Sequence, residues 1–105
     1  MDNFSVIYKI LNILEKAMDY ENFDKSAISS EQLKISENRW KSIIEMLADN
    51  EYIKGVIISR SFDTTNVNID SIRITLKGLE YLNDNTLMKR VGRTLKGVKE
   101  LKDLT

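Results

Sequence analysis

The sequence predicts an α+β fold that is mostly α: a winged helix-turn-helix with a two-stranded wing and an additional C-terminal helix. One observation is a short segment with a helix-capping pattern, residues 29–35, followed at once by a longer amphipathic segment, residues 36–50. Two helices separated by so short a break must cross steeply, as in a helix-turn-helix. The other is a pair of β-branched stretches on either side of a polar tract, which is typical of a hairpin. We therefore assign residues 1–85 to the winged domain and residues 86–105 to a C-terminal amphipathic basic helix.

Composition disfavours several classes of function. The 105 residues are 42% hydrophobic, which is enough for one domain with a single core. The chain has no Cys and no His, so it lacks thiol and imidazole nucleophiles and the ligands of typical zinc sites. Its four glycines are isolated from one another, so the sequence has no Gly-rich phosphate loop. We expect no enzymatic activity, no metal and no cofactor.

Charge and apolar patterning bear on location and partners. Lys+Arg and Asp+Glu both number 16, so net charge does not by itself indicate nucleic acid. No apolar run approaches the roughly 18 residues of a transmembrane helix, and the start of the chain has no leader pattern. We expect a cytoplasmic protein that makes no membrane contact.

Residues 4–19 predict a first helix with two neighbouring apolar stripes. An ordinary surface helix has only one such face, so this helix must be covered on two sides. We predict that it is the central helix of a small bundle; the alternative is that part of the second stripe meets another subunit. The first stripe is Phe4, Ile7, Tyr8, Leu11, Leu14 and Met18, and the second is Val6, Ile10, Ile13 and Ala17.

The segment before the recognition helix is predicted as a loop over residues 20–27, with Phe23 turned inward, and then a short helix. Ser29 with Gln32 three residues later forms the pattern of a capping box. We expect three apolar side chains of this region to face the core, namely Ile28, Leu33 and Ile35.

Residues 36–50 predict the recognition helix. Ser36 is a good N-cap, because its hydroxyl can accept a hydrogen bond from a free amide of the first turn. The helix should end near Asn50, since Asn tolerates the left-handed conformation at a helix C-terminus. Its apolar stripe, at helical spacing, is Trp40, Ile43, Ile44 and Leu47.

The wing follows the recognition helix. Residues 52–59 are rich in β-branched side chains and predict a strand, within which Gly55 permits a bulge or a close approach. Residues 60–70 are polar and predict a long hairpin tip. The apolar-polar alternation of a strand returns over residues 72–74.

A further helix begins after Thr75, which has the chemistry of an N-cap. Gly78 lies inside it at a cost of about 1 kcal/mol relative to Ala, which indicates a close packing contact there. The apolar residues of this helix are Leu76, Leu79 and Leu82.

Residues 86–104 repeat an apolar side chain every three or four positions and carry six basic residues against two acidic ones. We predict an ordered helix that packs on the first helix near Ile10 and Ile13 or forms a homodimer contact; the alternative is a frayed basic tail. Its apolar stripe is Leu87, Val91, Leu95, Val98 and Leu101.

Three sequence motifs resemble those of a known family. They are I-Y-K-I-L near the start, E-Y-I-K-G-V after the recognition helix, and I-T-L-K-G-L-E-Y-L, followed by a Lys-rich end. The chain resembles the YjcQ-like proteins, small winged-helix proteins of low-G+C bacteria and their prophages. The resemblance implies a DNA-binding type of architecture, and it carries over no functional residues.

Two functions fit this sequence. One is binding of double-stranded DNA by a small prophage-encoded transcriptional regulator, since Asn can read adenine and Arg guanine in the major groove. The other is a winged-helix protein-interaction module with a homodimer or another protein as its partner. Acidic residues on the recognition helix oppose the first function. The residues predicted to contact DNA are Asn38, Arg39, Lys41 and Ser42 on the recognition helix and Arg60, Thr64, Thr65, Asn66 and Asn68 on the wing.

Overall fold

The computed structural model describes residues 2–85. The order of elements is that of a winged helix-turn-helix, in which a central helix precedes the two-helix motif, and a hairpin and a further helix follow it. The predicted helix over residues 86–104, and the assignment of 86–105 as a separate unit, lie outside the described residues. The helices are α1 (Asn3–Ala17), a 3-10 turn (Lys25–Ile28), α2 (Ser30–Leu33), α3 (Glu37–Asp49) and α4 (Leu76–Asp84), and the strands are β1 (Ile53–Lys54), β2 (Ile57–Arg60), β3 (Thr65–Asn68) and β4 (Arg73–Ile74).

Helix α1 is the centre of the fold. Asp2 caps it, with Oδ1 accepting a hydrogen bond from the Ser5 amide at 2.8 Å. Hydrogen bonds from the Ser5 amide and from the Ser5 side chain lower the pKa of the Asp2 carboxyl. Both apolar stripes are covered along the middle of the helix, where α1 contacts α3, α4, β4 and the 3-10 turn, whereas Phe4 and Met18 at the ends of the first stripe are exposed. Val6 and Ile10 of the second stripe are fully buried and Ile13 is half-buried, which confirms the central position.

The core lies between α1, the helix-turn-helix and the base of the wing. Trp40 is only half-buried, and its indole Nε1 donates to the Ile28 carbonyl at 2.7 Å, which ties α3 to the 3-10 turn. Phe23 packs against the core, as predicted. The most deeply buried large side chains are Val6, Ile10, Leu11, Ile28, Leu33, Ile44, Leu47 and Ile72.

The approach to the helix-turn-helix is more regular than the predicted loop over residues 20–27. Asp24 caps the 3-10 turn, its carboxylate accepting from the Ser26 hydroxyl at 2.7 Å and the Ser26 amide at 3.0 Å. These bonds lower the pKa of Asp24. Ser29 then caps α2 by accepting from the Gln32 amide at 3.2 Å. The return bond of a capping box does not form, because the Ser29 amide already donates to the Ser26 carbonyl.

Both helices of the motif end on a non-glycine residue in the left-handed region. Lys34 after α2 has φ 58° and Glu51 after α3 has φ 64°. The prediction that Asn50 takes this conformation was wrong, since its φ is −91°. Instead the Asn50 side chain donates to the Met46 carbonyl, and the Tyr52 amide reaches back to the Leu47 carbonyl at 2.9 Å. These bonds satisfy carbonyls of the last turn of α3. The left-handed residue is Glu51, one position later than predicted.

The wing is one antiparallel hairpin divided into two ladders. β1 pairs with β4 at its base, and β2 pairs with β3 towards its tip. The break falls at Gly55, which has φ +80° and approaches the Ser71 carbonyl so closely that a Cβ would lie 2.0 Å from its oxygen. The predicted tip over residues 60–70 was too long, because residues 65–68 form β3. This polar strand is exposed on one face, so its sequence lacks a full apolar alternation.

The start of α4 is fastened to the end of α3. Thr75 Oγ1 accepts from the Gly78 amide at 3.0 Å, as predicted for a cap, and donates to the Glu51 carbonyl at 2.6 Å. A Cβ on Gly78 would lie 2.4 Å from the Tyr52 carbonyl oxygen, which confirms the predicted close packing. The start of α4 therefore packs against the residues that connect α3 to the wing.

Candidate nucleic-acid interface

The N-terminal half of α3 presents the polar side chains predicted to contact DNA. Ser36 begins the helix by accepting from the Arg39 amide at 3.1 Å. Burial of the apolar stripe fixes which side faces outward, and Asn38, Arg39 and Ser42 are all exposed. Within residues 2–85, no hydrogen bond or ion pair engages the side chains of these three residues. They are therefore available to a ligand that approaches this face.

Lys41 differs from its three neighbours. Its side chain is 24% exposed, and its Nζ lies 3.9 Å from a carboxylate oxygen of Glu37 one turn earlier. Such a pair between partly exposed side chains is worth about 0.3–0.5 kcal/mol on a helix. Lys41 lies at the edge of the exposed face with its charge partly offset.

The wing contacts α3 through an ion pair between Arg60 and Glu45. Arg60 comes from the last position of β2, and Glu45 from the middle of α3. The Glu45 side chain is 26% exposed and that of Arg60 is 63% exposed, so the carboxylate is the better shielded partner. The strongest predicted phosphate contact of the wing is thus already paired within the protein.

The predicted wing residues lie on two faces of the hairpin. Opposed residues of an antiparallel pair project to the same face, and the β2–β3 register opposes Arg60 to Thr65 and Ser59 to Asn66. Arg60 and Thr65 share the face that includes Val67, which packs on the core. The opposite face is exposed throughout and consists of Ile57, Ser59, Asn66 and Asn68. Thr64 lies in the turn between the strands.

Sequence reasoning missed Phe62 at the wing tip. Its side chain is fully exposed, and the turn that carries it is closed by a 2.9 Å hydrogen bond from the Ser61 amide to the Thr64 carbonyl. An isolated aromatic residue within a polar tract was the signal that could have drawn attention to it. The Arg60–Glu45 pair left no such signal, because its partners lie on different elements.

The described domain carries a net negative charge. Of the 16 basic and 16 acidic residues, six and two lie in residues 86–105, which leaves ten and fourteen in residues 2–85, a net charge of −4. Glu45 and Asp49 stand on the exposed side of α3. Any affinity of this face for a polyanion therefore depends on where its few cations lie.

Other features of the described domain are shallow. A cleft of about 270 Å³ lies beside the start of α3 and is lined by Lys25, Ser26, Ser29, Ser30, Glu37, Trp40 and Ile69. A second, of about 240 Å³, lies along α4, where Tyr52 and Tyr81 are in tilted contact with ring centroids 5.4 Å apart. Burial, and then the neighbouring Tyr52, raise the pKa of Tyr81.

In residues 2–85 no group of three or more Asp and Glu side chains could hold a metal ion, and no helix is long and apolar enough to cross a membrane.

A winged helix-turn-helix with an exposed polar recognition helix is thus the class of protein that the fold defines. The chain belongs to the YjcQ protein family, whose model matches residues 8–104. No curated protein and no solved structure matches the chain.

Proposed function

We propose that this protein binds double-stranded DNA, with the N-terminal half of α3 in the major groove and the wing against the adjacent backbone. The observation that supports this most strongly is the exposed set Asn38, Arg39 and Ser42, unengaged within the described domain and held on a helix whose other side is buried in the core. N-terminal residues of a recognition helix are the ones that contact base edges in helix-turn-helix proteins. The corresponding role is that of a small cytoplasmic, prophage-encoded transcriptional regulator.

The side chains of α3 have the chemistry for base recognition. Asn38 can form paired hydrogen bonds with adenine, and Arg39 with guanine. Ser42, one turn after Asn38, can donate to or accept from a base or a phosphate oxygen. On the wing, Thr64 and Asn66 are exposed next to the tip and can donate to the phosphate backbone.

Charge is the requirement that the domain meets least well. Most affinity for nucleic acid comes from cations that neutralise phosphates and release counterions. Arg39 supplies one such cation, Lys41 and Arg60 are partly offset by Glu37 and Glu45, and the domain as a whole carries −4. The six basic residues of 86–105 are the largest remaining source of positive charge. We therefore expect moderate affinity that depends strongly on salt.

Fluorescence anisotropy on a random-sequence duplex at several salt concentrations tests this proposal. Arg39→Ala should weaken binding and reduce the slope of log K against log salt by about one. Lys9→Ala is the matched control, because Lys9 is an exposed cation on α1, outside the proposed interface, and it should leave the slope unchanged. Absence of binding by the unmodified protein even at low salt would refute DNA binding.

A protein-interaction module is the second candidate, and specific exposed apolar side chains favour it. Ile57 on the open face of the wing is 63% exposed, and Leu76 at the start of α4 is 74% exposed. Ile10 and Ile13 of α1 are the two residues predicted to contact a second chain. Ile10 is fully buried, so of these two only Ile13 has exposed surface for such a contact. Sedimentation of the unmodified protein tests the homodimer directly, and Ile57→Ser should dissociate a dimer that uses the wing.

A further inference from the structure

Phe62 stands at the tip of the wing with its entire side chain in solvent. Its relative exposure, 106%, is the highest among the exposed large hydrophobic side chains of residues 2–85. The strands are paired up to Arg60 and Thr65 on either side of the turn, and the Ser61 hydroxyl adds a 3.2 Å bond to the Thr64 carbonyl. The ring is therefore carried on a closed and hydrogen-bonded hairpin end.

The described domain does not bury the Phe62 ring. Apolar side chains stabilise a fold when they are buried away from water, and the Phe62 ring is not buried. Nor does the turn require the ring, since its hydrogen bonds are formed by backbone groups and the Ser61 hydroxyl. The neighbouring Asp63 carboxylate repels phosphate, so charge on the turn does not favour a duplex. Beside the phosphate contacts proposed for Thr64 and Asn66, the ring is the group of the turn that can contact a base.

We propose that Phe62 is a minor-groove wedge that partly unstacks one base step beside the site contacted by α3. This inference rests on the proposed function. Proteins that enter the minor groove commonly insert an apolar side chain between base steps, and Phe is one of the residues that do so. Pyrimidine–purine steps such as TA are the easiest to unstack, so the wedge would favour such a step at a fixed distance from the major-groove contacts.

Loss of the ring should weaken binding without changing its salt dependence. Phe62→Ala should reduce affinity for a duplex with a central TA step about tenfold, within the range measured for aromatic–base stacking. The salt slope should stay the same, because no charge is removed. Phe4→Ala is the matched control: Phe4 is also an exposed phenylalanine, 66% exposed at the start of α1, and its loss should leave affinity unchanged.

A fluorescent substitution reports on stacking itself. In Phe62→Trp the new indole should be quenched when the TA duplex is added, whereas the indole of Phe4→Trp should not, and Trp40 contributes the same background to both. Equal responses of the two variants, or Phe62→Ala binding as tightly as the unmodified protein, would overturn the wedge and leave DNA binding by α3 standing. A blue shift of Phe62→Trp that grows with protein concentration in the absence of DNA would overturn it in favour of contact with a second copy. If the unmodified protein does not bind the duplex, both proposals fail.

Discussion

Arg60 at the end of β2 forms an ion pair with Glu45 in the middle of α3. The pair joins the two elements proposed to contact DNA. It also neutralises the only cation among the predicted wing residues. Glu45 therefore has two effects in the proposed interface, since it positions Arg60 and competes with phosphate for it.

Removal of the Glu45 charge should strengthen DNA binding. Because a partly exposed pair is worth about 1 kcal/mol at most, Glu45→Gln should raise affinity up to about fivefold and steepen the salt slope by about one. Glu80→Gln, at an exposed position of α4, is the control for a general change in net charge. In an Arg60→Ala background the gain from Glu45→Gln should be smaller, since no cation is released. The same gain in both backgrounds would show that Arg60 does not reach DNA.

The central position of α1 makes a direct prediction for stability. Leu11 of α1 is fully buried in the hydrophobic core, so Leu11→Ala should lower the free energy of unfolding by about 3–5 kcal/mol. Phe4→Ala, on the same helix but 66% exposed, should change it by less than about 0.5 kcal/mol. Chemical denaturation of both variants measures the difference. Loss of less than about 1 kcal/mol for Leu11→Ala would mean that the core is assigned wrongly.

Thr75 should be important for stability despite its position near the surface. Its hydroxyl caps α4 through the Gly78 amide and donates to the Glu51 carbonyl, and Thr75→Val removes both bonds with little change of shape. We expect a loss of about 1–2 kcal/mol in the free energy of unfolding. Thr75→Ser keeps the hydroxyl and should retain most of the stability. Full stability of Thr75→Val together with a loss for Thr75→Ser would show that the methyl contact, and not the hydrogen bonds, is responsible.

The segment 86–104 remains a prediction from sequence. Its stripe of Leu and Val residues predicts an ordered helix, because burial of each such side chain is worth about 1.5–3 kcal/mol. Amides of residues 91–98 should be protected from hydrogen exchange, and Val91→Asp combined with Leu95→Asp should abolish that protection. Fast exchange of all these amides in the unmodified protein would show a frayed tail instead.

Helical periodicity made most of the fold predictable. The two stripes of α1 and the stripe of α3 fixed their buried faces, because a side chain repeats on one face every three or four residues. Short elements were the errors. The 3-10 turn before α2 is stabilised by the Asp24 cap, and β3 is held by its pairing with β2. Neither element repeats apolar residues at a regular spacing, so the sequence pattern did not indicate them.

The candidate site was less predictable than the fold. Residues on one helix could be placed together, and Asn38, Arg39 and Ser42 do share the exposed side of α3. Wing residues could not be assigned to faces without the register of the hairpin, which separates Arg60 from Asn66. The Arg60–Glu45 pair depends on tertiary packing between elements that the sequence does not relate. Likewise the left-handed residue after α3 falls on Glu51, because hydrogen bonding at the helix end decides its position.

The most direct test of DNA binding through α3 and the wing is a two-dimensional amide spectrum of the ¹⁵N-labelled protein, recorded during titration with a duplex. We predict that the largest shifts fall on residues 36–42 of α3 and on residues 60–66 of the wing. Amides of α1, which is not part of the proposed interface, serve as the internal reference and should move least. Shifts confined to other parts of the domain, or none at a duplex concentration that saturates a weak complex, would contradict this interface.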